Sequence, residues 1–416
     1  MKKVLIIANL FYASPRIPGL AKYLPGFGWQ PIIITVPLGE NPDSSFGPPN
    51  DFRKRNLVIE TGYTSGKLMG TRVQKRLRRI KPLLRFLYRR YSEIAHYPDK
   101  EKNWMPFAIK AADELLKNEN IDAIVSSSSP VTCHLIARKI KEKYRIPWVA
   151  DFRDLWTQNH NYPYSVFRKF FERRLEIETL SMADALVTIS SPMANRLNLL
   201  HKGKRVYTIT NGFDPEKTSM GKVDLTAKFT ITYTGQIYEK QNTEKLLRAL
   251  KDLISQGIID RENVEVRVFG PRSERLEKHA AEYNLTDIVK QYGVVPREVS
   301  FLKQRESQLL LLLKWEDPRE RGIYTGKVFE YLAAMRPILA TGGTDDVVTE
   351  LLNETKGGTD AQTVGDVKSA LRTFYNEFKL EGKISYQGDI DKINKYNYRE
   401  IARKIAEILD ALTKRS

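Results

Sequence analysis

Along this chain the hydrophobic positions come first as unbroken runs. Residues 4–7 and 32–36 are almost wholly branched and apolar, the pattern of strands covered on both faces, and residues 18–24 between them read as a helix. The same alternation continues, with helices over 108–116 and 131–144 and strands over 123–127 and 148–151. A charged helix over 166–182 and strands over 185–189 and 205–210 follow. After a polar linker at 217–228 it starts again. Strands are predicted at 229–234, 264–269, 289–292, 309–313 and 337–341, and helices at 243–253, 275–283 and 299–304, with a final amphipathic helix at 398–412. Strands alternating with helices indicate an α/β protein built on doubly wound sheets, with a first domain ending near residue 206.

Composition narrows the class. A chain of 416 residues suits two domains of roughly 200 each, and 41% hydrophobic with 28% charged residues is the balance of a globular protein. One cysteine, Cys133, leaves no internal disulfide framework and points to a reducing compartment. Five histidines without a close pair give no metal motif, so no metal is expected. The apolar start is broken by Asn9 and runs on into loop and helix, as a buried first strand does and a signal peptide does not. No stretch reaches the roughly 18 apolar residues that span a bilayer.

The net charge of +18 is uneven. Between Thr71 and Tyr91 stand Arg72, Lys75, Arg76, Arg78, Arg79, Lys81, Arg85, Arg89 and Arg90 without one acid, while Leu77, Ile80, Leu83, Leu84, Leu87 and Tyr88 interleave at near-helical spacing. That pattern fits an interfacial helix on anionic lipid, kinked at Pro82, or a solvated basic face over a packed apolar stripe. No nucleic-acid motif accompanies it, and no nucleic-acid partner is expected.

The densest candidate chemistry lies in 322–343. Thr325 is placed to cap a helix, and Gly326 leaves room for a ligand at its amino end. Free amides there favour a phosphate, to which Lys327 adds a full charge. Glu330 sits one turn in on the same face, where a carboxylate accepts from two ribose hydroxyls. Gly235 and Lys240 follow one strand as a second phosphate loop, and Gly270 follows another as a turn beneath a base.

These pieces resemble the family 4 retaining glycosyltransferases. The 322–343 segment is similar to the family's donor helix, 210–214 (Thr-Asn-Gly-Phe-Asp) to its "NGvD" turn, and 233–240, with Gly235, Gln236 and Lys240, to its "GrL...K" loop. Residues 184–190, with Glu178 before them, resemble "E...ADalvtvS", and 151–156 resemble the "DfRDpW" of a bacterial subgroup that makes surface polysaccharides. The resemblance runs from about residue 3 to about 410. It implies a GT-B fold, two Rossmann-like domains facing each other across a cleft: an acceptor domain over 1–206, a nucleotide-sugar domain over 207–394, and a helix at 395–416 crossing back to the first. It implies transfer of a sugar from a nucleotide-diphosphate donor with retention, onto a lipid-linked or other glycan acceptor, in the cytoplasm at the inner membrane face. Two positions depart from it. Gly322 stands where the family carries the first of two glutamates eight residues apart, with Glu316 or Glu320 as nearby substitutes, and Gln236 stands where an arginine is common.

In the first domain Asp151, Arg153 and Asp154 end a strand, where three charges beside apolar neighbours need partners. Either an internal Asp–Arg pair holds the loop, or a carboxylate serves the acceptor hydroxyl with Arg153 near the leaving phosphate. Ser14 and Arg16 belong to a loop that could hold the acceptor, Arg16 as a bidentate phosphate grip. His134 is a further acceptor candidate, or a residue of a helix surface. The rival functions are a sugar-nucleotide epimerase and an inactive nucleotide-sugar-binding or membrane scaffold protein.

Overall fold

Five consecutive leucines, Leu309–Leu313, are buried on both sides of one strand, Leu309, Leu311 and Leu313 in one core and Leu310 and Leu312 in another. Alternation of side chains across a strand makes this arrangement, and a parallel sheet covered on both faces requires it. The computed structural model describes residues 1–13, 15–39, 48, 51–62, 91, 93–162, 164–218 and 221–414. The expected basic stretch at 72–90 and Ser14 lie outside the described residues.

The chain forms two units, Met1–Thr210 with Ala402–Ser416, and Asn211–Ile401. The sequence-based boundaries at 206/207 and 394/395 fall a few residues before these. In the first unit the strands are β1 (Lys2–Ala8), β2 (Trp29–Thr35), β3 (Leu57–Glu60), β4 (Ala123–Ser128), β5 (Trp148–Phe152), β6 (Ala185–Thr188) and β7 (Val206–Thr208). They pair in the order β3-β2-β1-β4-β5-β6-β7, all parallel. The order reverses between β1 and β4, whose ends meet at Ala8 and Ser127. The core around Trp104, Trp148, Trp156 and Ile136 lies between this sheet and helices that include Met105–Asn118 and Thr132–Tyr144.

The second unit holds β8 (Phe229–Thr234), β9 (Val264–Phe269), β10 (Val289–Gly293), β11 (Leu309–Leu313), β12 (Ile338–Thr341) and β13 (Gly358–Ala361) in the order β10-β9-β8-β11-β12-β13, again all parallel. Its reversal lies between β8 and β11. Crevices at the carboxyl ends of such strand pairs are where open α/β sheets bind ligands. Among the elements not anticipated are β3, β13, and the helices Ser191–Leu200, Val347–Thr355 and Val364–Glu381.

Candidate functional site

At the carboxyl end of β8 the backbone turns through Gly235 at φ +98°, a left-handed conformation that glycine adopts without strain. Its amide donates to Phe269 O at 2.7 Å, which draws the end of β9 so close that a Cβ on Gly270 would meet Gly235 O at 2.2 Å. Both glycines are therefore dictated by one close crossing of backbone.

Buried Gln241 fixes the loop that follows. Its Nε2 donates to Leu313 O at 2.9 Å, and its Oε1 accepts from Tyr238 N at 3.1 Å, tying 235–241 to the end of β11. Tyr233, buried in β8, donates its hydroxyl to Gln236 O at 2.7 Å. From outside, the Arg275 guanidinium donates to Tyr238 O at 2.9 Å and to the carbonyls of Glu239 and Gln241. Gln236 itself is exposed.

The Gly326–Ala334 helix begins beside this loop. Thr325 occupies the cap position, but its hydroxyl makes no capping bond; Oγ1 is buried without a partner. Capping by its side chain was expected and does not occur. Lys327 packs its stem into the space that Gly235 leaves, Cε lying 2.6 Å from where a Cβ would stand. Its ammonium sits 5.0 Å from the Tyr233 ring centroid and 6.0 Å from that of Tyr238. Burial pushes its pKa down to about 8, against a partial pull upward from Glu330. On the buried side of the helix, the Tyr331 hydroxyl accepts from Thr234 N at 3.0 Å, locking the helix to the end of β8.

Glu330 receives Arg297 Nη2 at 2.7 Å and Lys217 Nζ at 3.8 Å, both on Oε1. Burial alone would raise its pKa; Arg297, then Lys217 and Lys327, outweigh that and hold the carboxyl below its ordinary value. Lys217 also lies 4.6 Å above the Phe301 ring. Sequence reasoning named neither Arg297 nor Lys217, and their positions carry no local motif. A signal for Gln241 and Tyr233 existed in their closeness to Gly235.

Lys240 is exposed and stands 3.7 Å from Asp317 Oδ2, which also takes Arg319 Nη2 at 2.6 Å. Of the two glutamates near Gly322, Glu316 pairs with Lys245 at 2.9 Å, and Glu320 is buried. Among the described residues no group of three or more His, Cys, Asp and Glu is placed to hold a metal ion.

In the first unit the structure brings Arg16 and Asp151 together in the interior. Arg16 Nη2 and Nε reach Asp151 Oδ1 at 2.8 Å and Oδ2 at 3.1 Å, and Ser127 Oγ donates to Oδ2 at 2.8 Å. Arg16 also donates to Thr210 O at 2.6 Å and Ile209 O at 3.1 Å. With both side chains buried, each satisfies the other, which is the internal-pair alternative with Arg16 in place of Arg153 as the partner. Arg153 instead donates to Ser129 O at 2.7 Å and to Tyr12 O, and burial lowers its pKa against the pull of Asp154 and Asp151. Asp154 is half-buried.

His134 is not on a helix surface. It is wholly buried, 4.4 Å from the Phe152 ring, with Nδ1 2.7 Å from Ser126 Oγ, which also accepts from Trp148 Nε1 at 2.7 Å. Burial drives its pKa to about 3, so the imidazole is neutral.

Comparison with known proteins now adds identity to this geometry. Residues 19–217 match the family model Glycosyltransferase Family 4, and residues 217–356 match Glycosyl transferases group 1. No curated protein matches the chain. Among solved structures, sucrose-phosphate synthase from Thermosynechococcus elongatus aligns over 100% of both chains with a TM-score of 0.67 at 12% identity. A glycosyltransferase from Rickettsia africae aligns over 100% of this chain and 99% of its own, with a TM-score of 0.66 at 15% identity. HepE from Anabaena, crystallised with UDP and glucose, aligns over 99% of this chain and 100% of its own, with a TM-score of 0.65 at 13% identity. Two family models that run without a gap from 19 to 356, over two parallel sheets of this order, make the chain a family 4-like glycosyltransferase of the GT-B fold.

Proposed function

We propose that the enzyme moves a sugar from a nucleotide-diphosphate sugar to an acceptor hydroxyl, with retention at the anomeric carbon. The observation that carries this reading is the convergence of Lys327, the amino end of its helix and Gly235 at the switch point of the second sheet, with Glu330 one turn further on. In this reading a diphosphate takes the charge of Lys327 and the amides of the helix start, and Glu330, whose Oε1 is held by Arg297, accepts ribose hydroxyls on its other oxygen. The Anabaena relative was crystallised with UDP, with UDP and glucose, and with UDP-glucose, which supports a nucleotide-sugar donor.

In the transfer, the bond from the anomeric carbon to the diphosphate oxygen breaks, and the oxygen keeps the electron pair. The acceptor hydroxyl forms the new bond on the same face and passes its proton to that leaving oxygen. Lys327, Lys240 and the helix amides stabilise the charge that grows on the diphosphate, fixed in place before the reaction. Arg153 and Asp154, at the end of β5, are the first unit's candidates for the acceptor side. Asp151 acts through Arg16 by shaping that strand end.

The acceptor is proposed to be a lipid-linked glycan at the inner membrane face, on the strength of the basic run at 72–90. No helix among the described residues is long and apolar enough to cross a membrane. A thermal-shift screen across nucleoside diphosphates and their sugars tests the donor reading, and NMR of the product's anomeric proton tests retention. Absence of stabilisation by every nucleoside diphosphate would end it. Reversing Arg76, Arg78, Arg79 and Arg85 to glutamate should release the protein from anionic vesicles with nucleotide affinity unchanged.

A further inference from the structure

The helix Val166–Leu180 has two unlike faces. Its inward face is locked. Arg168 is buried, donating to Glu172 Oε1 at 2.7 Å, Pro98 O at 2.7 Å and His96 O at 3.1 Å, and lying 3.6 Å from the Tyr164 ring centroid. Glu176, also buried, accepts from Thr157 N at 3.0 Å and lies 3.3 Å from His201 Nε2. The outward face carries Val166 and Phe167, each 82% exposed, Phe170 at 66% and Phe171 at 58%. Lys169, Arg173 and Arg174 stand exposed among them.

The sign of the charge is as selective as the exposure. Both acids before Glu178 are buried, Glu172 against Arg168 and Glu176 beside Thr157 and His201, so the outward face from 166 to 174 presents three cations, three phenylalanines and no acid. Glu178, beyond it, is paired with Arg138 at 2.7 Å. Tyr91 and Ile94 are exposed as well, at 63% and 77%. Their segment is bonded to the helix start, since Glu93 Oε2 accepts from Ser165 Oγ at 2.7 Å and Glu93 O accepts from Arg168.

Several large apolar side chains exposed together on one short helix mark an interaction site. A protein partner would meet phenylalanines equally well on an acidic or neutral helix; the exclusion of acids and the ring of long cations match anionic headgroups above an acyl layer. We propose that the outward face of Val166–Leu180 is a membrane-docking surface. Its phenylalanines enter the acyl boundary of an anionic bilayer, and Lys169, Arg173 and Arg174 meet lipid phosphates. The proposal does not depend on the donor site.

The test is cosedimentation of the full chain with vesicles of phosphatidylcholine alone and with phosphatidylglycerol added. Replacing Phe167, Phe170 and Phe171 together by serine should weaken binding to the anionic vesicles on the order of a hundredfold, while the thermal shift caused by a nucleoside diphosphate stays unchanged. The exposed positions make the variant safe for folding, and Lys169→Glu with Arg173→Glu and Arg174→Glu gives an independent second readout. In Phe170→Trp, acyl chains brominated near the headgroup should quench the added fluorescence. Wild-type vesicle binding by the serine variant overturns the proposal. So does a shift from dimer to monomer in that variant with vesicle binding intact, which would assign the face to a second copy of the chain. A protein that docks normally yet shows no nucleotide response would sink the donor reading and leave the docking surface standing.

Discussion

Lys327 lies in the space that Gly235 leaves open: a Cβ on the glycine would stand 2.6 Å from the lysine's Cε. The glycine thus serves two ends, turning the backbone at φ +98° and letting a long cation from another element pass beside the 235–241 loop. Gly235→Ala should cost about 1–3 kcal/mol in stability through backbone strain and should displace Lys327. Donor affinity should fall with it, read by calorimetry. An alanine variant with unaltered nucleotide affinity would show that the lysine's seat does not matter to binding.

Lys327 also sets a pH dependence. Burial lowers its pKa to about 8, so the free enzyme loses this charge as pH rises through about 8. The kcat/KM for donor should therefore fall on that alkaline limb, and Lys327→Arg, which stays charged, should move the limb upward while lowering the rate. An unmoved limb in the arginine variant would assign it elsewhere. Stability runs the other way. Between about 8 and the ordinary lysine value the unfolded chain binds a proton that the folded chain lacks, so this group destabilises the fold below about pH 8 and the penalty is relieved as pH rises above it.

Glu330 is held by Arg297 and Lys217 through one oxygen, which leaves the other for a ligand. Glu330→Gln keeps the shape and removes the charge, so nucleotide-sugar affinity should weaken by about 1–3 kcal/mol. Arg297→Met should weaken it in the same direction by freeing the carboxylate to turn. Calorimetry showing full affinity in both would remove Glu330 from the donor site.

The fold was legible where burial left long apolar runs. All strands of the two sheets were visible except β3 and β13, and both of these are short edge strands; Gly358–Ala361 carries two polar residues and a glycine, so no run forms. The Val364–Glu381 helix carries its own signal in the sequence, a Thr363/Asp366 capping box and apolar positions at Val367, Ala370, Leu371, Tyr375 and Phe378, all buried. At the site, Gly235, Gly270, Lys327 and Glu330 were marked by local spacing. Arg297 and Lys217 were not, because they reach Glu330 from elements distant in sequence. Arg16 and Asp151 were each noticed for their charge, but only the pairing of β1 with β4 and of β4 with β5 brings them together.

That pair supplies the last prediction. Arg16 and Asp151 are both buried, and among the described residues Arg16 and Ser127 hydrogen-bond the carboxylate. Removing one partner leaves an uncompensated charge in the interior, so Asp151→Asn or Arg16→Met should cost about 3–5 kcal/mol. The double change to Asp151→Leu with Arg16→Met should recover most of that loss, because a matched apolar pair needs no desolvation. Four of the five tryptophans, Trp29, Trp104, Trp148 and Trp156, lie in the first unit, so intrinsic fluorescence during urea unfolding follows its transition. If Asp151→Asn instead kept the urea midpoint of wild type while abolishing turnover, the carboxylate would belong to the chemistry and its pairing with Arg16 would be a means of orienting it.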